Sequence, residues 1–175
     1  MVHRKNEGSD VSELLDALAR QGLKEAGCGI PEGVPEPKKA SLVVFGGNAQ
    51  PTSTVPRRDP SASDQVDALW HQEAERWGIF DRDREFLLFA TYPGTLARGW
   101  IRVKDSNGTR IPSRIAAATG YSDFIAVSPD GKSLCAVSYE EYEIWIVSHS
   151  FQDARPETIR PTPERKSSDT GESRP

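Results

Sequence analysis

The apolar residues of this chain follow a helical period in two early segments and a strand period in the later ones. Near the N-terminus the pattern predicts a helix from Val11 to Gln21, with Asp10 and Glu13 at the spacing of a capping box and Gly22 as its stop. The apolar face of this helix consists of Val11, Leu14, Leu15 and Leu18.

A second helix is predicted from about Asp64 to Trp77. Ser61 or Ser63 can cap its N-terminus, and Gly78 follows its last residue. The apolar side at helical spacing is formed by Val66, Leu69, Trp70, Ala74 and Trp77. We therefore expect this helix to pack against the sheet that the later residues form.

Two strands are predicted after this helix. The continuous apolar run Phe86–Ala90 is typical of a buried strand, and Trp100–Lys104 alternates between apolar and polar residues. Asp105–Gly108 is a strong hairpin-turn signal. We therefore predict that Thr109–Ile111 returns as a strand until Pro112 ends it.

The C-terminal pattern predicts a three-stranded meander, preceded by a short helix over Ser113–Thr119. The strands are Phe124–Val127, Leu134–Tyr139 and Glu143–Val147. Ser128–Gly131 carries proline and glycine at the positions that a type I turn favours. The two faces of the middle strand carry Leu134, Ala136 and Ser138 on one side and Cys135, Val137 and Tyr139 on the other.

Residues 27–63 are rich in Pro, Gly, Ser and Thr, which favours extended and irregular backbone. We predict a linker here, except for Leu42–Phe45, a short strand or docking segment that Gly46 and Gly47 end. The last residues, with prolines, many charges and almost no large apolar side chain, are expected to be disordered. The predicted divisions are an N-terminal helical segment, a linker, a core domain and a tail, over residues 1–26, 27–63, 64–151 and 152–175.

The expected fold class is α+β. We predict an antiparallel sheet of about five strands between Phe86 and Val147, packed against the helix that contains Trp70 and Trp77. We assign the tryptophans mainly to packing. A hydrophobic content of 36% and a mean hydropathy of −0.58 are low for a chain that is packed throughout, which fits the predicted linker and tail.

The net charge of −4 lies in the predicted core, because residues 64–151 carry 13 acidic and 9 basic residues. This balance disfavours general nucleic-acid binding, which requires a basic surface. A negative face instead suits a basic protein partner.

The sequence also predicts the compartment. No apolar run follows the N-terminal residues, and no stretch is apolar for long enough to cross a membrane, so we predict neither a secretory signal nor a membrane span. The two cysteines, Cys28 and Cys135, have no redox or metal-binding spacing. We expect free thiols in a cytoplasmic protein, with Cys135 buried and Cys28 exposed in a loop.

One segment resembles a known family. Ile125–Lys132 with its Ser-Pro-Asp-Gly turn, then Leu134–Tyr139 and Glu143–Val147, resembles the middle strands of a β-propeller blade of the WD-repeat or TolB type. Such blades use the same turn and place a tryptophan on the next strand, here Trp145. Ile146 stands where a WD repeat has aspartate, and the segment occurs once, whereas a closed propeller needs about four or more blades. A closed propeller is therefore excluded, and we interpret the match as convergent hairpin chemistry, with a diverged or truncated propeller fragment as the alternative.

The predicted turn after Tyr139 concentrates aromatic and acidic side chains. Glu140, Glu141 and Glu143 lie beside Tyr139 and Tyr142, and aromatic residues with a charged rim are typical of protein interfaces. We predict that these five residues bind a protein partner. The alternative is an ordinary solvated turn.

The histidines are weaker candidates for a site. His71 stands two residues before Glu73, and residues two apart on a helix point in different directions. His149 lies between Ser148 and Ser150, whose side chains point to the opposite face of a strand. We therefore predict no catalytic residue among them, and their spacing predicts no metal site.

Two further motifs are interpreted as structural. Asp81, Asp83 and Glu85 alternate with arginines in a predicted solvated loop that lacks the glycine and distal glutamate of an EF-hand. Gly46-Gly47 lacks the motif of a phosphate-binding loop. No cofactor is predicted.

We expect a non-catalytic protein-binding module, in concrete form an immunity- or inhibitor-type protein that neutralises a basic partner such as a nuclease toxin. Two alternatives stay open. One is a small hydrolase, which requires a pocket that joins His71 or His149 with a carboxylate and a hydroxyl. The other is a truncated β-propeller-like fragment.

Overall fold

The computed structural model describes residues 7–27, 29–47, 49–92 and 95–152, without the side chains of residues 7–10, 96 and 97. The elements in these ranges are α1 (Glu7–Arg20), β1 (Leu23–Glu25), α2 (Pro37–Phe45), β2 (Ser53–Pro56), α3 (Ala62–Arg76), β3 (Glu85–Ala90), α4 (Thr95–Arg98), β4 (Ile101–Asp105), α5 (Ile111–Thr119), β5 (Phe124–Val127), β6 (Ser133–Tyr139) and β7 (Glu143–Ser150). No helix in the described ranges is both long and apolar enough to cross a bilayer.

One antiparallel sheet organises the fold, with seven strands in the order β1-β4-β3-β5-β6-β7-β2. The α+β class is confirmed, but about five strands was an undercount. The missed strands are β1 and β2, the two edges. With three and four residues they are too short to show a period, and they become strands by pairing with β4 and β7.

Helices cover both faces of the sheet. On the first face α1, α3 and α5 contribute Leu18, Trp70 and Ile115 to the larger core, and each of these side chains is fully buried. On the second face α2 contributes Ala40 and Val44 to a smaller core. A sheet covered on both sides explains why its central strands are apolar on both faces.

Successive residues of the central strands enter different cores. Phe86 and Leu88 of β3 face α1, α3 and α5, whereas Leu87 and Phe89 face α2. The same alternation holds in β6, as predicted: Cys135 and Val137 lie in the first core, and Leu134 and Ala136 in the second.

Two predicted helices are present with shifted boundaries. α1 begins at Glu7, so Asp10 lies inside it and the predicted capping box is wrong, while Gly22 stops it with a φ of 77°. In α3 the N-cap is Ser61, but its hydroxyl caps no helical N–H, because it donates to Asp59.

Of the two alternatives predicted for Leu42–Phe45, the strand is wrong, since these residues form the end of α2, whereas docking fits Val44, which packs on the sheet. Pro37 stands in the first turn of this helix, where its missing N–H costs nothing. Ala40 and Val44, four residues apart, pack on the sheet. α2 and β2 both lie within the segment predicted to be a linker.

The predicted return strand Thr109–Ile111 is also wrong, because α5 begins at Ile111. The hairpin signal at Asp105 instead makes a tight loop, in which its carboxylate accepts the backbone N–H groups of Asn107 and Gly108. The other edge of β4 is filled by β1. Pro112 stands in the first turn of α5 and does not end a strand.

The predicted meander is present as β5, β6 and β7. The blade resemblance is confined to these strands, because the sheet continues beyond them on both sides and packs against helices. The predicted disordered tail from residue 153 onwards lies outside the described residues, and the division into domains stays a prediction.

Candidate functional site

The acidic, aromatic turn lies at the tip of the β6–β7 hairpin. The N–H of Glu140 donates to the carbonyl of Glu143 at 2.9 Å, which leaves Glu141 and Tyr142 as a two-residue loop. Tyr142 is 70% exposed, and Glu141 and Glu143 are exposed as well. The hydrogen bond between Tyr142 and Glu141 raises the pKa of the phenol, so the ring stays neutral at physiological pH.

Local contacts fix the remaining side chains of the tip. Glu140 accepts the hydroxyl of Ser138 at 2.6 Å, and Glu143 accepts the indole N–H of Trp145 at 3.3 Å. Both glutamates are therefore oriented before any partner arrives.

The structure adds Arg57, which sequence analysis missed. It follows β2, and its backbone N–H donates to the carbonyl of Tyr142 at 3.0 Å. Its Nη1 donates to the carbonyl of Glu140 at 3.1 Å, and its Cζ lies 5.9 Å from the ring centroid of Tyr139. Arg57 thus braces the hairpin through backbone carbonyls without pairing with a carboxylate of the tip.

All four tyrosines of the chain lie at one end of the sheet, which we call the tyrosine end. Tyr92 follows β3, Tyr121 precedes β5, Tyr139 ends β6 and Tyr142 lies in the loop to β7. These positions meet because the four strands are neighbours in the sheet and alternate in direction. Tyrosine is enriched at protein interfaces.

Asp123 connects the loops of this end. Its backbone carbonyl accepts the N–H and the hydroxyl of Thr91, at 3.3 and 2.9 Å. Its carboxylate accepts the N–H of Tyr139 at 2.7 Å. The loops after β3, before β5 and after β6 therefore form one bonded unit.

Beside this unit lies a groove of about 420 Å³ between α2 and the ends of β3 and β5. Its walls are Ser41, Phe45, Phe89, Thr91, Tyr92, Thr95 and Tyr121. The rings of Tyr92 and Tyr121 stand 6.5 Å apart at 88°. Phe45 is 46% and Tyr121 is 44% exposed, so the groove opens to solvent through aromatic surface.

The unpaired negative charge of the core collects at the same end. Most carboxylates of residues 64–151 form ion pairs, for example Glu85 with Arg102 and Asp130 with Lys132. Those that make no ion pair with a described residue are Asp81, Asp123, Glu140, Glu141 and Glu143. All except Asp81 lie at the tyrosine end.

A pocket near His71 brings together the groups that the hydrolase alternative requires. A cavity of about 270 Å³ is lined by Asp64, Asp67, Ala68, His71, Thr109 and Arg110. Asp67 accepts the N–H and the hydroxyl of Ser113, at 2.9 and 2.7 Å, and the Nε–H of Arg110 at 3.1 Å. It thereby caps the first turn of α5 from outside the helix.

His71 is not linked to these groups. Its Nδ1 has no hydrogen-bond partner among the described residues, and its Nε2 lies 3.9 Å from Glu75. The hydroxyl of Ser113 donates to Asp67, so Ser113 and His71 do not form the hydroxyl–imidazole pair that activates a nucleophile.

The remaining predicted positions have structural partners. Asp81 accepts the N–H groups of Asp83 and Glu85, each at 2.9 Å, and so closes the loop before β3. The ring of His149 stands against Phe151 at 4.9 Å between centroids. Within the described ranges, no three His, Cys, Asp or Glu side chains form a group that could hold a metal ion.

Comparison with known proteins gives no relative: no family model, no curated protein and no solved structure matches this chain. The site residues that sequence analysis missed are Arg57, Tyr92, Tyr121 and Asp123. They stand in three separate loops, and the available signal was that the two tyrosines follow or precede predicted strands.

Proposed function

We propose that this protein is a non-catalytic protein-binding module that uses the tyrosine end of its sheet to bind a basic partner, as an immunity- or inhibitor-type protein would. The observation that carries the proposal is the coincidence, at one end, of all four tyrosines with four carboxylates that make no ion pair with a described residue.

The physical reason is the free energy that a carboxylate loses when it gives up its existing partner in order to bind a new one. A carboxylate that already pairs with arginine must lose that partner before it can bind another, whereas an exposed, unpaired carboxylate loses only water. Tyrosine adds large apolar area with little loss of conformational entropy. Glu140 and Glu143 are also held in place by Ser138 and Trp145, which reduces the entropy lost on binding.

The hydrolase alternative has less support. Both carboxylate oxygens of Asp67 already accept hydrogen bonds from Ser113 and Arg110, so Asp67 is not available to orient an imidazole. A catalytic triad instead requires a carboxylate bonded to histidine and a histidine bonded to the nucleophile.

The test is affinity capture from native lysate with three baits. The first is the wild type, and the second replaces Glu140, Glu141 and Glu143 by Gln. The third carries Asp16→Asn, Glu32→Gln and Asp83→Asn, at exposed positions away from the tyrosine end, and changes the net charge equally. Retained proteins are identified by mass spectrometry.

A basic protein retained in stoichiometric amount by the wild type and the third bait, and lost with the second, supports the proposal. Its retention should fall as salt is raised, because exposed charges are screened within about 8 Å at physiological ionic strength. A partner that all three baits retain equally contradicts it.

A further inference from the structure

We infer that the groove beside the tyrosine end takes an apolar anchor side chain from a linear segment of the partner, and that basic residues next to this anchor face the hairpin. This inference rests on the proposed function and names the chemistry of the partner. Neither the groove nor its aromatic walls were among the predicted site residues.

The lining of the groove selects an apolar side chain. Phe45, Phe89, Tyr92 and Tyr121 supply aromatic surface, and none of the described walls carries a charged side chain. The threonine hydroxyls already have partners: that of Thr95 lies 2.8 Å from the carbonyl of Ala90 and 2.6 Å from that of Tyr92, and that of Thr91 donates to the carbonyl of Asp123. The remaining polar side-chain groups of the described walls are the hydroxyls of Ser41, Tyr92 and Tyr121. An apolar side chain gives up no hydrogen bond with water when it enters, whereas a charged one would find no opposite charge on these walls.

The size of the groove suits a large side chain. Its volume of about 420 Å³ falls within the range of ligand pockets in proteins, about 300–1,000 Å³. Tryptophan, phenylalanine and leucine fit such a space, and buried aromatic anchors dominate the energy of protein interfaces.

The walls are held in place before binding. Thr95 is 2% exposed and its hydroxyl fixes the backbone of Tyr92 at 2.6 Å. Thr119 is 6% exposed, and its hydroxyl both donates to the carbonyl of Tyr121 and accepts its N–H. Two buried threonines thus hold the backbone that carries the two perpendicular rings, which reduces the ordering that binding requires.

Charge around the groove identifies the rest of the segment. Asp123 joins the groove wall to the hairpin, which carries Glu140, Glu141 and Glu143. These four carboxylates outnumber the two basic residues that follow β2, Arg57 and Arg58. A segment with lysine or arginine beside its anchor complements this surface, whereas an acidic segment is repelled.

The sheet also predicts the spacing between anchor and charge. The groove lies at the ends of β3 and β5, and the hairpin joins the next two strands, β6 and β7. Strands are about 4.8 Å apart, so the distance across is about 7–14 Å. An extended segment covers it with about two to four residues.

The test is a selection of random dodecapeptides displayed on phage against four immobilised baits. These are the wild type, a groove variant with Phe45→Ser and Tyr121→Ser, a hairpin variant with Glu140, Glu141 and Glu143→Gln, and a control, Leu42→Ser. Leu42 is 66% exposed on the same helix but is not a wall of the groove. Thermal unfolding confirms that each bait is folded.

The wild type and the control should enrich peptides with a Trp, Phe or Leu anchor and with Lys or Arg about two to four residues away. In a selected peptide, anchor→Ala should weaken binding to the wild type about tenfold or more, and binding to the groove variant less than twofold. The hairpin variant should keep the preference for the anchor and lose the preference for basic residues.

A second variant guards against misfolding of the first. Ser41→Trp places a bulky ring in the groove without removing any wall, and it should abolish the preference for the anchor. If Ser41→Trp and the groove variant both retain the anchor preference, or if the wild type enriches no common motif, the inference is wrong. The capture experiment can still succeed in that case, so failure here is distinct from failure of the proposed function.

Discussion

Replacing Asp105 by alanine should be the most damaging change of a single carboxylate in the described structure. Its side chain is fully buried at the end of β4. One oxygen accepts Arg114 at 2.7 Å and the N–H of Asn107 at 3.1 Å, and the other accepts Arg84 at 3.2 Å and the N–H of Gly108 at 2.9 Å. One carboxylate therefore joins β4, α5 and the loop before β3.

The expected cost follows from the groups that would lose a partner. Alanine leaves two guanidinium groups and two backbone N–H groups without this acceptor, and breaking a buried ion pair costs about 3–5 kcal/mol. Arg84 keeps Glu75 at 2.8 Å, and Arg114 keeps the carbonyls of Thr109 and Gln21. We therefore expect about 3 kcal/mol, a large part of the typical 5–15 kcal/mol of a domain.

Urea denaturation followed by circular dichroism measures this cost. Asp83→Ala is the matched control, because the carboxylate of Asp83 is 73% exposed, and its loss should change stability by less than about 0.5 kcal/mol. An Asp105→Ala variant within 1 kcal/mol of the wild type would refute the assignment of Asp105 as the buried junction.

The same variant tests a pH dependence. Burial alone would raise the pKa of Asp105, but the bonds from Arg114, the N–H of Asn107 and Arg84 bring it below its ordinary value. The stabilisation is therefore fully present above the pKa of the unfolded state, about 3.9, and is lost as the pH falls through the lower pKa of the folded state. The difference in the free energy of unfolding between the wild type and Asp105→Ala should narrow below about pH 4 and stay constant from pH 5 to 7.

Three further changes test the packing. Gly131→Ala should cost at least about 1 kcal/mol, because φ is 74° and the added Cβ would lie 2.8 Å from a backbone carbon of the loop before α2; thermal unfolding measures it. Val44→Ala should lower the free energy of unfolding by about 1–2 kcal/mol, and Leu42→Ala, at an exposed position, by less than about 0.5 kcal/mol. On a strand these two side chains would point to the same face, and the two losses would be similar. In a Cys28→Ser background, Cys135 should resist a thiol reagent at pH 8 until urea unfolds the chain, because complete burial raises its pKa to about 12.

The parts of the fold that could be predicted are those whose own residues show a period. The apolar face of α3 and the alternation in β6 are strong local signals, and tertiary contacts agree with them. α2 was misassigned because Leu42–Phe45 is a run of strand-forming residues, and its helical state depends on Pro37 and on burial of Val44 against a sheet that the segment itself does not encode. β2 is a strand only because β7 offers it an edge.

The candidate site shows the same division. The hairpin turn could be found because its five residues are contiguous. Tyr92 and Tyr121 could not, because what brings their rings to 6.5 Å is the position of β3 beside β5 in the sheet. Arg57 is further removed still, since it reaches the hairpin only through the pairing of β2 with β7.

The two ends of the sheet use their carboxylates in different ways. At the end opposite the tyrosines, Asp81, Asp105 and Asp130 accept backbone N–H groups of their own loops, as short side chains do in turns. At the tyrosine end, Glu140, Glu141 and Glu143 carry their charge on longer side chains at the tip of the β6–β7 hairpin, where Glu141 and Glu143 are exposed. Neutralising the first group removes bonds that hold loops, whereas neutralising the second removes charge that no described residue balances. In the proposed function, binding depends on the tyrosine end, whereas the loop-closing carboxylates lie at the opposite end of the sheet, so neutralising Glu140, Glu141 and Glu143 should weaken binding with little loss of stability.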